Sequence, residues 1–412
     1  MNLQIKPIVV ALRRHKAGTV LIALQIALTL AIVCNALYII QQRLANLSMV
    51  SGVDESSVFV IKNQWAGDRP TQQVDAQVRA DLVALRKLPA VLDASPASNY
   101  PLRGGGWDNF VTLTPEQIKP TTDASVYTGD EHFIHALGLH LIEGRNFRPD
   151  EVMVMGTQQS IIPPTVIVSK ALADRLFPGG NALGKSFYAM GTTPSTIVGI
   201  VDPMQRSSVS PWNIPFAGQS LLWPIRAADS RGIFYLVRAK PGQLAVAMRE
   251  APKALYAQSR MRIFDPKDGI QDYATIRREV FDTDRGMAIL MGIICAVLLA
   301  ITAAGIVGLT SFWVGQRRRQ IGVRRALGAQ RRDILAYFLT ENFLISAAGV
   351  LLGIVLAVGF NLWTVTHLAM ERMPMAYVGV GVLVLLLLGQ GATFAPALRA
   401  SRVPPVEATR GG

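Results

Sequence analysis

The chain has 412 residues, 50% of them apolar, with a mean hydropathy of +0.31 and a formal net charge of +13. This is too apolar for an ordinary soluble protein, yet it leaves enough polar sequence for a large folded domain. The charge does not imply nucleic acid, because Arg43 to Asp284 holds 25 basic and 24 acidic residues and the excess lies outside that stretch.

Four uncharged runs exceed the roughly 20 residues that span a bilayer: Ala17–Gln42, Gly286–Gln316, Asn342–Met370 and Met373–Leu398. The excess cations flank these runs, among them Lys6, Arg13, Arg14 and Lys16 in front and seven arginines between the second and third. Cytoplasmic loops are the ones that collect Lys and Arg. The expected layout therefore has residues 1–16, 317–341 and 399–412 in the cytoplasm, with 43–284 and a short turn near 371 outside. That describes an α-helical membrane protein with four transmembrane helices and one domain between helices 1 and 2. The only partners that charge and hydropathy imply are membrane lipids, and nucleic acid is excluded.

In chain order, the first run is too long for a signal peptide and ends without a small-x-small cleavage site. It is expected to stay as a helix over 17–42, continued outward as a stalk by Gln41-Gln42-Arg43-Leu44. The domain over 43–284 opens on a strand-like Val58–Lys62, a helix around Val74–Leu88 and a strand near Val91–Ala94. It closes on a strand Phe234–Arg238, a helix around Gln243–Gln258 and a strand Arg260–Phe264. Two β-α-β units bracketing a long insertion predict a small α/β portion built from both ends of the domain. The insertion, roughly Gly104–Trp223, is rich in Gly, Pro and short β-prone runs and is expected to be mostly β. Cys34 and Cys295 sit inside apolar runs, so this domain is expected to fold on its core without a disulfide.

Three motifs in the domain invite chemistry. Gly179–Ser186 matches the phosphate-loop pattern GxxxxGKS, but a helix-like stretch precedes it and a β-prone one follows, the reverse of what phosphate binding at a helix N-terminus needs. It reads as a turn. His132, His135 and His140 beside Asp130 and Glu131 have no standard metal spacing, so packing is expected of them rather than ligation. Gly104-Gly105-Gly106-Trp107 reads as a turn carrying an aromatic. No nucleophile–base arrangement stands out, and neither cofactor nor catalysis is expected of this chain.

The second apolar run, 286–316, is expected to continue the polar helix Tyr273–Asp284, and its 31 uncharged residues would reach about 46 Å. Gln316–Asn342 follows, too charged for lipid. Ile321, Arg324, Arg325 and Leu327 suit a short amphipathic helix at the membrane surface, Gly328 a helix stop, and Arg331–Asp333 the start of a helix that enters the next apolar run. In the third run Gly349 and Gly353 form GxxxG, which allows either dimerisation or close packing inside one subunit. The fourth run, 373–398, contains the unbroken apolar stretch Leu383–Leu388.

QIGVRRALGAQRRDILAYFLTENFLISAAGVLLGIVLA (residues 320–357) resembles the loop and third membrane helix of the MacB/FtsX-type ABC transporter permeases. VYTGDEHFIHALGLHLIEGRNF in the domain and PALRASRVPPVEATR at the end are similar to further family segments. The resemblance implies a domain with an α/β portion and a mostly β portion, lying outside a bacterial inner membrane. It implies that Ile321, Arg324, Arg325, Ala326, Leu327, Gly328 and Ala329 form a coupling helix that docks into a separate cytoplasmic ABC ATPase subunit. Where the family usually carries Glu before Ile-Gly, this chain has Gln320, which removes one charge from that surface. A second permease subunit, identical or related, is implied, and by analogy a periplasmic adaptor and an outer-membrane channel. Export of an antibiotic, peptide, lipid or lipoprotein is the expected activity, with regulation of a cell-wall hydrolase as the alternative.

Overall fold

The computed structural model describes residues 16–157, 159–208, 216–368 and 372–402. In chain order the elements begin with α1 (Lys16–Ser48), β1 (Val58–Trp65), α2 (Thr71–Arg86) and β2 (Val91–Ala97). Next come β3 (Trp107–Val111), β4 (Thr122–Gly129), α3 (Phe133–Leu137), β5 (Leu141–Gly144), β6 (Met153–Gly156), β7 (Thr165–Ser169), α4 (Lys170–Leu176), β8 (Ser186–Phe187), β9 (Ser195–Val201) and β10 (Ser220–Ala228). The chain then forms β11 (Gly232–Ala239), α5 (Leu244–Gln258), β12 (Arg262–Ile263) and β13 (Ile270–Asp272). It ends with α6 (Tyr273–Gln316), α7 (Arg318–Ala326), α8 (Arg331–Leu368) and α9 (Met375–Ser401). These elements fall into two compact units, Ser48–Thr283 and the residues on either side of it.

In the unit 48–283, β1 alternates Phe59, Ile61 and Trp65 on one face with Val60, Lys62 and Gln64 on the other, the period of two that makes a two-faced strand. Helix α2 buries Val74, Val78, Leu82 and Leu85, a stripe at helical spacing that packs on the Phe59 face together with Ala247, Ala251 and Leu255 of α5. The sheet order is β12-β1-β11-β2, with β13 also on β1. The two β-α-β units are therefore interleaved: β11 lies antiparallel between β1 and β2, and β1 lies antiparallel between β11 and β12. This is the split β-α-β arrangement of ferredoxin-like sheets. Strand β12 is shorter than expected, two residues, and its Arg262 turns inward. Its guanidinium meets Asp81 of α2 at 2.8 Å and Asn63 Oδ1 at 3.0 Å, and the Tyr235 hydroxyl donates to Asp81 at 2.5 Å.

The insertion between β2 and β11 is an eight-stranded mixed sheet of order β3-β4-β10-β7-β9-β5, with β6 on β10 and β8 on β9. Strand β10 changes partners along its length. Its first half lies between β4 and β7, and Ile225–Ala228 runs on to pair with β6. The core of this sheet gathers Val126, Val166, Val168, Leu172, Phe187, Ile197, Leu221 and Trp223.

The phosphate-loop look-alike lies between α4 and β8, with a helix before it and a strand after. Gly180, Asn181 and Gly184 all have positive φ, and Lys185 folds back onto Asn181 at 2.7 Å and over the Phe177 ring. The segment is a turn. His132 and His135 share one acceptor, Asp93 of β2, at 2.9 and 2.7 Å, which pins α3 to the first sheet, while His140 lies apart on Asp202. Among the described residues no His, Cys, Asp or Glu group could hold a metal.

In the other unit, α1, α6, α8 and α9 are all long and apolar enough to cross a membrane. Helix α6 is continuous over 44 residues, about 66 Å. Helix α1 is central: half of its apolar window is buried, against 17–33% for the other three. The GxxxG pair settles on packing inside the chain. A Cβ on Gly349 would come within 2.7 Å of the Ala23 carbonyl of α1, and one on Gly353 within 2.9 Å of Leu30. With the glycines the helices close up, and polar groups cross the seams as Thr29–Thr302 hydroxyls at 2.8 Å and Asn342 Nδ2 to the Gly389 carbonyl at 2.9 Å. Near the C-terminal end of α1, Arg43 meets Asp284 of α6 at 2.5 Å. Lys6, Arg13 and Arg14, Glu371 and residues 403–412 lie outside the described residues.

Candidate coupling site

Seven arginines and two carboxylates over residues 317–341 are kept out of lipid by their charge, and the arginines repel one another, so the order of this segment must come from particular contacts. Helix α6 ends at Gln316, Arg317 breaks the helix for one residue, and α7 starts at Arg318. Arg317 Nη1 bridges both oxygens of Glu341 on α8 at 2.9 and 3.0 Å, and Glu341 is only 2% exposed. At its other end α7 closes with a two-bond cap. The Gly328 N–H donates to the Arg325 carbonyl and the Ala329 N–H to the Arg324 carbonyl. Gly328 takes φ +100, a conformation a side chain resists, so the stop read from sequence is built by this glycine. Arg324 and Arg325 in the last turn also suit the negative end of the helix dipole. The Asp333 carboxylate accepts from the Gln330 N–H at 2.9 Å and starts α8.

Helix α7 presents two faces. Ile321 is 4% exposed and packs with Ile334 and Phe338 of α8 and Ala397 and Ala400 of α9. Arg325 Nη1 donates to the Ser401 carbonyl at 3.1 Å, and Arg324 lies over the Tyr337 ring at 5.2 Å. Val323 and Leu327, one turn apart, are 46% and 82% exposed. The sequence groups Ile321, Arg324, Arg325 and Leu327 in one amphipathic helix, and the structure places Ile321 and Leu327 on different sides of it. Six residues advance a helix about 600°, so Ile321 points into the helix cluster and Leu327 away from it. Ala326 and Gly328 are exposed beside Leu327, and Ala329 is half-buried against the cluster.

The structure thus gathers the seven expected residues into one short helix and its cap, packed on α8 and α9 and apolar-tipped. Sequence reasoning missed the Arg317–Glu341 contact. Its signal was Glu341 itself, a carboxylate abutting a long apolar run, where a charge needs a partner.

A model of the MacB-like periplasmic core domain matches residues 19–255, and one of the FtsX-like permease C-terminal domain matches residues 292–405. The macrolide export ATP-binding/permease protein MacB 1/2 of Paracoccus denitrificans is 25% identical, over 98% of this chain and 58% of its own length. The MacB protein of Chromobacterium violaceum is 28% identical over 76% of this chain and 48% of its own. The ABC transporter permease YvrN of Bacillus subtilis is 26% identical over 69% of each. The chain therefore spans about half the length of the two MacB relatives. Among solved structures, the periplasmic region of MacB from Actinobacillus actinomycetemcomitans aligns over 57% of this chain and 96% of its own, at 14% identity and a TM-score of 0.34. With the periplasmic core matched over more than half of its residues and the permease region over the later helices, the chain belongs to the MacB/FtsX-type family of ABC transporter permeases.

Proposed function

We propose that this chain is the permease subunit of an ABC transporter and that α7 with its cap receives the motion of a cytoplasmic ATPase. In this reading the basic loop and both termini face the cytoplasm of a bacterial inner membrane. ATP is bound and hydrolysed by a partner subunit. Helices α1 and α6 carry the motion outward to residues 43–284, driving export or extraction of an antibiotic, peptide, lipid or lipoprotein. A second permease subunit, identical or related, completes the pathway, and a periplasmic adaptor and an outer-membrane channel extend it. The observation that carries the reading is the seating of α7: Ile321 and Arg325 fix it to α8 and α9 while Val323 and Leu327 stay uncovered. A fixed helix with an exposed apolar tip is suited to being gripped and pushed. Regulation of a cell-wall hydrolase has less support, because the match to the MacB-like core covers most of the domain outside the membrane helices.

The test is Leu327→Asp, which touches no packed group, assayed by pull-down with the ATPase and by stimulation of ATP hydrolysis. A tenfold or greater loss of stimulation is expected, roughly what desolvating a carboxylate against an apolar pocket costs. Unchanged binding and stimulation would refute α7 as the contact.

A further inference from the structure

The glycine-rich turn before β3 is held in a conformation that a plain turn has no reason to keep. Leu102, fully buried, sits at φ +65, a left-handed conformation that is costly for a residue with a Cβ. Two backbone bonds hold it there, the Leu102 N–H to the Arg206 carbonyl at 3.0 Å and the Gly104 N–H to the Ser207 carbonyl at 2.7 Å. At Gly106 a Cβ would approach Ser207 Oγ to 2.2 Å, so only glycine lets the chain pass.

What this constrained loop places is a cation and an indole. The Arg103 guanidinium lies 4.6 Å above the Phe234 ring, which is itself edge-on to Tyr100. Trp107, 58% exposed, opens the edge strand β3. Both line a cleft of about 700 Å³ inside the unit 48–283, with Gln64, Met155 and Gln159 on its walls. That volume falls in the roughly 300–1,000 Å³ range of small-molecule sites. The other cations of the cleft are neutralised, Lys62 by Asp268 at 2.5 Å and Arg231 by Asp229 at 2.7 Å. Among the described residues Arg103 donates to the Ser98 carbonyl alone, at 3.2 Å, and no carboxylate pairs with it. A guanidinium stacked on an aromatic ring keeps its planar fork of N–H donors free for an oxoanion.

We propose that this cleft binds a small amphipathic anion, its carboxylate or phosphate on Arg103 and its apolar or aromatic body against Trp107 and Met155. The proposal does not depend on α7 and stands or falls separately from the coupling reading.

The test is calorimetric titration of the full chain in zwitterionic nanodiscs with phenyl phosphate, 4-phenylbutyrate and the uncharged 4-phenylbutyramide. Both anions are expected to bind, with the amide about tenfold weaker. Preference for one anion over the other supports the site and tells a phosphate headgroup from a carboxylate. Arg103→Gln should weaken the anions about tenfold and leave the amide unchanged, and Trp107→Ala should weaken all three. Lys119→Gln, a cation outside the cleft, should change nothing. The proposal is overturned if no probe binds at millimolar concentration or if the amide equals the anions. It is also overturned if Arg103→Gln, with an unshifted melting curve, binds as the wild type does.

Discussion

Arg262 and Asp81 are both fully buried, 2.8 Å apart, and join strand β12 of the first sheet to α2. Arg262 also lies over the Trp65 ring at 5.3 Å, and burial together with the Asp81 carboxylate pushes the Tyr235 hydroxyl well above its usual pKa, so Tyr235 remains a donor. Arg262→Met removes the cation but leaves the carboxylate in place, held only by Tyr235 and by Gln77 at 3.0 Å. An orphaned buried charge costs about 3–5 kcal/mol. For a domain of this size that corresponds to a fall of roughly 6–20 °C in Tm, at about 2–4 °C per kcal/mol. Replacing both partners, Arg262→Met with Asp81→Leu, removes the stranded charge and leaves only neutral groups without these partners: the Tyr235 hydroxyl, the Asn63 and Gln77 amides and the Ser259 carbonyl. The double variant should therefore melt above the single one. Differential scanning calorimetry of the full chain in detergent, with Trp fluorescence following the same transition, measures both. A single variant within 2 °C of the wild type, or a double variant below the single, would refute the argument that the charge, rather than the packing, is what the site must satisfy.

Two further outcomes follow from ion pairs elsewhere. Glu341→Gln should leave ATPase binding intact but lower its stimulation, since Arg317 then loses the carboxylate it pairs with beside the α6–α7 break; a charge exchange, Arg317→Glu with Glu341→Arg, should restore part of it, and equal stimulation in all three forms would sink the role. At α3, the hydrogen bond to Asp93 raises the pKa of His132 above 6.5; burial alone would raise Asp93, but His132 and His135 hold it below 3.8. The imidazolium bond thus stabilises the fold below pH 6.5 and is lost as pH rises through the raised His132 value, while the Asp93 contribution is lost only in strong acid. The wild type should lose stability between pH 6 and 8 relative to His132→Ala, measured by urea unfolding at each pH; parallel curves would contradict this.

Much of the fold was legible in the sequence because it rests on local periodicity. The apolar runs gave the membrane helices, and the alternation of Val58–Trp65 and the stripe Val74–Leu85 gave a strand and a helix. The interleaving of β1 and β11 was not legible, because pairing between strands about 170 residues apart depends on which edge each helix leaves open. At the candidate site Gly328 announced its own turn, since a helix stop is a property of one residue. The opposed directions of Ile321 and Leu327 depend on where α8 and α9 lie, which a nine-residue pattern does not encode. His132, His135 and Asp93 came together in the same way, across 39 and 42 residues.

The interleaved sheet has a consequence for how this architecture can vary. Strands β2 and β11, where the insertion leaves and returns, are hydrogen-bonded neighbours. More than a hundred residues thus hang from two adjacent points, like a cassette clipped into a socket. Lengthening such a loop costs only logarithmically more chain entropy. The socket, made of five strands, two helices and the buried Arg262, can keep its own core while the cassette is reshaped, exchanged or shortened. The surface of the cassette can therefore change while the fold that holds it stays the same.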